Sequence, residues 1–271
     1  MQTITSASCR VLTEADLSSP IRVPGVGHEF AIQSVRRPGK EDANDDAALV
    51  YQWSDGSCVM AVADGVGGAP LGNQASAVAM RCLQEQLRSA DPSVDLRPRI
   101  LDSIEQANTE ILDVQTGSAT TLTVAEIRGN TARIYQVGDS MAVILGGRGL
   151  MKYRTVSHSP VGYAVESGYL TDDDAMHHDD RHYVSNLVGS KQMSIEVGPA
   201  IELAKRDIVL LGSDGLFDNL MLDEIVKLCL KGDAEIRVNS LVSLSRERMD
   251  YLDPIRPCKP DDLTVVLRRP C

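Results

Sequence analysis

Aspartate stands at a turn beside an apolar run in four separated stretches of this chain: EDANDDAALV at 41–50, VMAVADGVGG at 59–68, DIVLLGSDGLFD at 207–218 and KPDDLTVVL at 259–267. Strands that end this way can gather carboxylates at one edge of a sheet from positions far apart in sequence. An oxygen-rich cluster suits hard divalent cations, because Mg2+ and Mn2+ favour carboxylates, carbonyls and water over sulfur or imidazole. The pattern points first to a metal-dependent enzyme.

The elements that must position these turns follow from periodicity. FAIQSV (30–35) alternates like a strand. AALVYQW, a turn at Asp55-Gly56, and CVMAVAD form a hairpin whose second strand ends at Asp64. After the turn GVGGAPLG, helical spacing of Ala77, Val78, Met80, Leu83 and Leu87 predicts a helix over 73–90. A second over 95–115 carries Ile100, Ile104, Ala107, Ile111 and Leu112. ATTLTVAEI, ARIYQVG and MAVILGG, joined by short turns, make an antiparallel meander. The stretch 157–190 is polar and acidic, without a sustained period, and reads as a surface flap in which Thr171 and the run Asp172 to Asp174 cap a short helix. IVLLGSD resumes the sheet, two helices fill 222–250 and LTVVLRR closes it, while residues 1–27 read as a short strand and loops. The whole, 1–271, is expected to be a single α+β domain.

Composition narrows the function. With 43% hydrophobic but only 4% aromatic residues, the core must be aliphatic. A net charge of −11 argues against nucleic acid or an anionic membrane surface as the partner. Six cysteines without a CxxC spacing read as reduced thiols of a cytoplasmic protein. No apolar run is long enough to span a bilayer, and the acidic amino terminus does not resemble a secretory signal. GVGGAPLG lacks both GxGxxG and a P-loop lysine, so it is not read as a nucleotide loop. His158, His177, His178 and His182 have no zinc-like spacing and are expected at the surface.

Taken in order across about 37–267, these motifs resemble those of the metal-dependent protein phosphatases of type 2C, the PPM family. VADGVGG resembles the family's central DG motif, GSATTLTV its glycine-threonine strand and VGDSMAVIL its GDS turn. SDGLFDNL resembles the later SDG motif, and PDDLTVVL the closing DN motif with Asp262 in the usual asparagine place. SHSPVGYAVESGYLTDDDA followed by SNLVGS is similar to the flap of bacterial members. The resemblance implies a four-layer α-β-β-α sandwich of two antiparallel sheets packed face to face with helices outside. It also implies that Asp64 bridges two Mn2+ or Mg2+ ions, that the Gly65 carbonyl ligates one, and that Asp214 and Asp261 complete the shell. Asp139 would join Asp214 at a third, weaker site under the flap. Val66 stands where many eukaryotic relatives have histidine, and Met141 replaces the arginine after GDS.

Arg37, with Arg36 next in line, is the candidate for holding phosphate, because a guanidinium fork matches two phosphoryl oxygens. The family's pattern of Arg, two residues, Asn, acid, Asp and Ala fits two registers here. One runs from Arg37 to Ala43 with Lys40 for asparagine; the other keeps Asn44 to Ala47 but lies four residues further on. The second is favoured, making Asp46 the metal-shell residue and Asp42 the reserve.

Two cations about 3.5–4 Å apart can generate a water nucleophile and neutralise a phosphomonoester together. The expected activity is hydrolysis of phosphoserine and phosphothreonine in proteins, by a monomer opposing a Ser/Thr kinase. The alternatives are a pseudophosphatase that binds phosphoproteins without turnover and a hydrolase of small phosphoesters. Clustered carboxylates repel one another unless a cation is present, which favours an enzyme.

Overall fold

The computed structural model describes residues 7–66, 71–251 and 256–271. In chain order the strands are β1 (Ala7–Thr13), β2 (Ile21–Pro24), β3 (His28–Val35), β4 (Asp46–Trp53), β5 (Cys58–Asp64), β6 (Leu122–Arg128), β7 (Thr131–Val137), β8 (Met141–Leu145), β9 (Met151–Arg154), β10 (Glu196–Val197), β11 (Ile201–Glu202), β12 (Ile208–Gly212) and β13 (Leu263–Pro270). The helices are α1 (Gly72–Arg88), α2 (Arg97–Val114), α3 (Pro160–Glu166), α4 (Asp172–Met176), α5 (Asp214–Phe217), α6 (Leu222–Cys229) and α7 (Ala234–Asp250).

Two antiparallel sheets result. One has the order β1-β4-β5-β6-β7-β10, with β11 also on β7; the other is β2-β3-β13-β12-β8-β9. Between them lies an aliphatic core to which the first sheet gives Ala48, Val50, Met60 and Val62 and the second Ile32, Ile144, Leu211 and Val266. The opposite face of the first sheet packs Ala47, Leu49 and Ala61 against Met80, Leu83 and Ile104 of α1 and α2. On the second sheet Leu210, Val265 and Leu267 meet Val238 and Leu241 of α7. Each central strand is therefore covered on both sides, and β3 and β4 are buried along their whole length. This is the α-β-β-α sandwich.

The β4–β5 hairpin turns as expected: Ser57 N donates to Asp55 Oδ1 at 2.9 Å, and Gly56 takes φ 87°, which favours glycine. Helices α1 and α2 fall within two residues of their expected bounds, and α6 and α7 fill 222–250. Of the glycine-rich turn GVGGAPLG, residues 67–70 lie outside the described residues.

Three expectations need correction. The amino-terminal stretch holds two strands rather than one, β1 on the edge of one sheet and β2 on the edge of the other, and at seven and four residues both are short. The flap holds more than the short helix expected after Thr171, which is α4, since α3 and a 3-10 turn at Asp179–His182 also lie in it. Elements of four to seven residues are too short to show a 3.6 period. The short strands β9, β10 and β11 were likewise not anticipated. Thr171 does cap α4: its Oγ1 accepts from Asp174 N, and its own N–H donates to the Asp174 carboxylate.

Candidate active site

Because strand side chains alternate, Asp46 shares the inter-sheet face with Ala48 and Val50, and Asp64 shares it with Met60 and Val62. The register sets Asp46 directly opposite Asp64. Ser213 continues the same face of β12, and its hydroxyl donates to Asp46 Oδ2 at 2.8 Å while accepting from Thr264 N at 3.0 Å. One serine thus ties the ends of both sheets around a carboxylate that is 1% exposed.

The residues before β4 form a clip. Asn44, fully buried, accepts from Asp46 N at 2.8 Å and donates to Ser34 Oγ at 2.9 Å and Ala15 O at 2.7 Å. Asp45 accepts from Asn73 N at the start of α1, and its carbonyl accepts from Gly65 N and from Ser76 Oγ. Asp42 is exposed, outside the cluster.

The end of β5 is held by the threonines of GSATTLTV. Thr121 N and Thr120 Oγ1 both donate to Asp64 O, at 2.8 and 2.9 Å, and Asp64 N donates to Thr121 Oγ1 at 3.0 Å. Gly65 has no room for a side chain: a Cβ would lie 2.3 Å from Gly72 O and 2.8 Å from Asp45 O. In the GDS turn, Gly138 at φ 104° lies against Thr121, and Ser140 Oγ pairs with Thr121 Oγ1 at 2.7 Å. The turn that carries Asp139 is thereby locked to the strand end that carries Asp64.

Asp214 opens α5, Asp218 follows one turn later, and Asp261 precedes β13. Gly215 allows this approach, since a Cβ there would meet Asp262 O. The electrostatics show the convergence: burial first, then the carboxylates of Asp46, Asp214, Asp261 and Asp139, holds the Asp64 carboxyl well above the usual range. Burial and then Asp262 do the same to Asp46. Burial, with Asp214 next, raises Asp139 to about 8 and Asp261 to about 7. Asp218, raised to about 6 by burial and by Asp214, is a cluster member that motif reading missed. So are two lysines. Lys259 Nζ contacts Asp214 and lies 3.1 Å from Asp218 and 3.4 Å from Asp261. Lys40 Nζ bridges Asp45 at 2.7 Å and Asp262 at 2.5 Å. Asp262 therefore serves to hold the loop after β3, also accepting from Arg37 N at 2.8 Å and Asp45 N at 2.7 Å.

These shifts carry a prediction for the ion-free protein. Its folded state keeps protons that the unfolded chain releases near the ordinary value of 3.8, so stability falls as pH rises from there through the raised values of 6 to 8. The melting temperature of chelated protein should drop from about pH 5 to about pH 8, and saturating Mn2+ should flatten the profile by favouring the ionised carboxylates. A chelated melt that rises over that interval would contradict it.

Arg37 is exposed, and among the described residues its guanidinium has no partner. Arg36 is engaged with Asp16, at 2.8 and 3.0 Å. Of the histidines expected at the surface, His158 is instead 3% exposed. Its Nδ1 accepts from Gly138 N at 3.1 Å and Asn186 Nδ2 at 2.9 Å, leaving Nε2–H for Glu196 at 3.0 Å. It ties the flap's base to the GDS turn, a role that spacing alone could not reveal. A cavity of about 130 Å3 lies beneath the flap, lined by Val161, Val165, Met176 and Phe217 together with Asp139 and Asp214.

All the donors are oxygens, and Asp46 Oδ1 and Asp214 Oδ1 are buried without any hydrogen bond. Such orphaned carboxylate oxygens in a mutually repelling group fit hard divalent ions. Among the described residues no three acidic, histidine or cysteine side chains stand close enough to hold an ion as they are.

The model of the family described as Protein phosphatase 2C matches residues 37–245. The serine/threonine phosphatase stp of Listeria monocytogenes is 27% identical over 198 residues, covering 68% of this chain and 77% of the relative. The crystal structure of the PPM Ser-Thr phosphatase MsPP from Mycobacterium smegmatis superposes with TM-score 0.73 at 28% identity, covering 89% of this chain and 98% of the other. That of the catalytic domain of PstP, in complex with two manganese ions, has TM-score 0.73 at 23% identity over 89% and 97% of the two chains. The chain belongs to the protein phosphatase 2C family.

Proposed function

We propose that this protein is a metal-dependent protein serine/threonine phosphatase, one domain over 1–271, in which Asp46, Asp64, the Gly65 carbonyl, Asp214 and Asp261 hold two Mn2+ or Mg2+ ions. The observation that carries the assignment is the direct pairing of Asp46 with Asp64 on the inter-sheet face, with the charges of three further aspartates from the other motifs acting on Asp64. Asp139, whose carboxyl feels the charge of Asp214, stands at the position that the resemblance assigns to a third ion. When bound, the ions supply positive charge at the phosphoryl oxygens and lower the pKa of the attacking water.

The chain's own residues do the rest. Ser213 holds the Asp46 carboxylate and the Thr120–Thr121 pair the backbone of Asp64, so little reorganisation is needed during reaction. The Arg37 fork, on a loop anchored by Asp262, receives two phosphoryl oxygens. Val66 offers no proton and His158 is engaged elsewhere, which leaves water to protonate the departing seryl or threonyl alkoxide. The substrate is a phosphoprotein. The physiological circuit is one in which a Ser/Thr kinase is opposed by this enzyme, acting as a cytoplasmic monomer. Among the described residues no helix is long and apolar enough to cross a membrane.

Arg37→Ala should raise KM for a phosphopeptide by about tenfold or more, as loss of a charge-assisted bond predicts, while leaving Mn2+ affinity unchanged. Steady-state kinetics beside a calorimetric Mn2+ titration would check it, and lost metal affinity would make Arg37 structural. The function itself is tested by Mn2+-dependent phosphate release from a phosphothreonine peptide, compared with a small aryl phosphate. Release from the peptide is expected. Peptide binding without release would indicate a pseudophosphatase, and turnover of the aryl ester alone a small-molecule hydrolase.

A further inference from the structure

Lys259 is the chain's least expected neighbour of the acidic cluster. An ammonium has three donors, and here three carboxylates, Asp214, Asp218 and Asp261, lie around it. Its side chain is only 19% exposed. The backbone beneath it is built rather than loose. Asn219, fully buried, accepts from Lys259 N and donates to Lys259 O, both at 2.9 Å, and also donates to Gly215 O at 2.9 Å. Arg248 Nη1 in turn holds Asn219 O at 2.6 Å, and Arg181 Nη2 holds Cys258 O at 2.7 Å. The ammonium is thus delivered to this corner by a chain of fixed contacts linking the flap, α5, α7 and the approach to β13.

The corner is the one beside Asp139, whose carboxyl feels both Asp214 and Lys259. The core pair would take the unbonded Asp214 Oδ1, so a third ion using Asp139 and Asp214 would need Asp214 Oδ2, the oxygen that the ammonium already contacts, and the two cations would repel at that range. Six carboxylates, those of Asp46, Asp64, Asp139, Asp214, Asp218 and Asp261, lie in this cluster. Two divalent ions leave two of their charges over, and the ammonium offsets one. Asp262 is outside this count because its oxygens are taken by Lys40 Nζ and by the N–H groups of Arg37 and Asp45.

We propose that Lys259 is a built-in cation that stands in for a third divalent ion at the Asp139–Asp214–Asp218 corner, so that the protein binds two ions and not three. The inference rests on the metal-phosphatase reading. It is tested by counting Mn2+ bound per chain at saturation, by equilibrium dialysis with elemental analysis and by calorimetry, in the wild-type protein, Lys259→Met and Lys259→Arg. Two ions are expected for the wild type and for Lys259→Arg, and three for Lys259→Met, the third displaced by Asp139→Asn in the Lys259→Met background. Three ions on the wild-type protein would overturn the proposal whether or not the variants fold, as would an unchanged count in a folded Lys259→Met. A wild-type protein that binds no Mn2+ would instead overturn the metal-phosphatase reading on which the proposal rests.

Discussion

Asp64→Asn should lower turnover of a phosphothreonine peptide by about a thousandfold or more, the scale of loss found when a site's electrostatic stabilisation is removed. The substitution preserves shape, and the backbone contacts that hold residue 64 come from Thr120 and Thr121, so the fold should survive. What changes is charge. Asp64 is the carboxylate on which Asp46, Asp214, Asp261 and Asp139 all act, hence the one best placed to share two ions. Removing its charge should also relieve repulsion in the ion-free protein, so Asp64→Asn should melt no lower than wild type in chelator while losing the stabilisation by Mn2+. Turnover near the wild-type rate would move the bridging role to another aspartate.

Asp46→Ala should likewise abolish metal-dependent turnover, whereas Asp42→Ala should retain most of it. The two residues are four apart, up to about 14 Å along an extended chain. Only Asp46 falls opposite Asp64, accepts from Ser213 and carries an orphaned buried oxygen. Asp42 is exposed, its carbonyl within 3.4 Å of Arg36 Nη1. Alanine at 46 also strands the Ser213 hydroxyl, at a cost of about 1–3 kcal/mol, so a melt should accompany the kinetics. Loss of activity in Asp42→Ala with Asp46→Ala intact would restore the register from Arg37 to Ala43.

Asp46 was legible because hairpin arithmetic decides it: a turn at Asp55-Gly56 with strands of known direction puts the start of one beside the end of the other. The apolar runs gave the central strands, and helical spacing gave α1, α2, α6 and α7. Asp218 and Lys259 were not legible in the same way. Asp218 joins the site because α5 is a single turn that stacks it over Asp214, its N–H donating to Asp214 O at 2.7 Å. Lys259 joins through Asn219, 40 residues away, a partnership no local period records. His158 looked like a flap residue in a polar stretch, but its burial is a tertiary fact set by Gly138, Asn186 and Glu196. One short strand was legible before residue 28, but its division into β1 and β2 on different sheets is set by their pairing with β4 and β3, and α3 is too short for periodicity to show.

The central claim is that the clustered aspartates work by holding divalent cations. It is tested most directly by stripping the protein with chelator, verifying the loss of metal by elemental analysis, and following phosphate release from a phosphothreonine peptide before and after Mn2+ or Mg2+ is returned. The account predicts no release from the stripped protein and recovery on repletion. Full turnover in excess chelator, with metal removal verified, would contradict it.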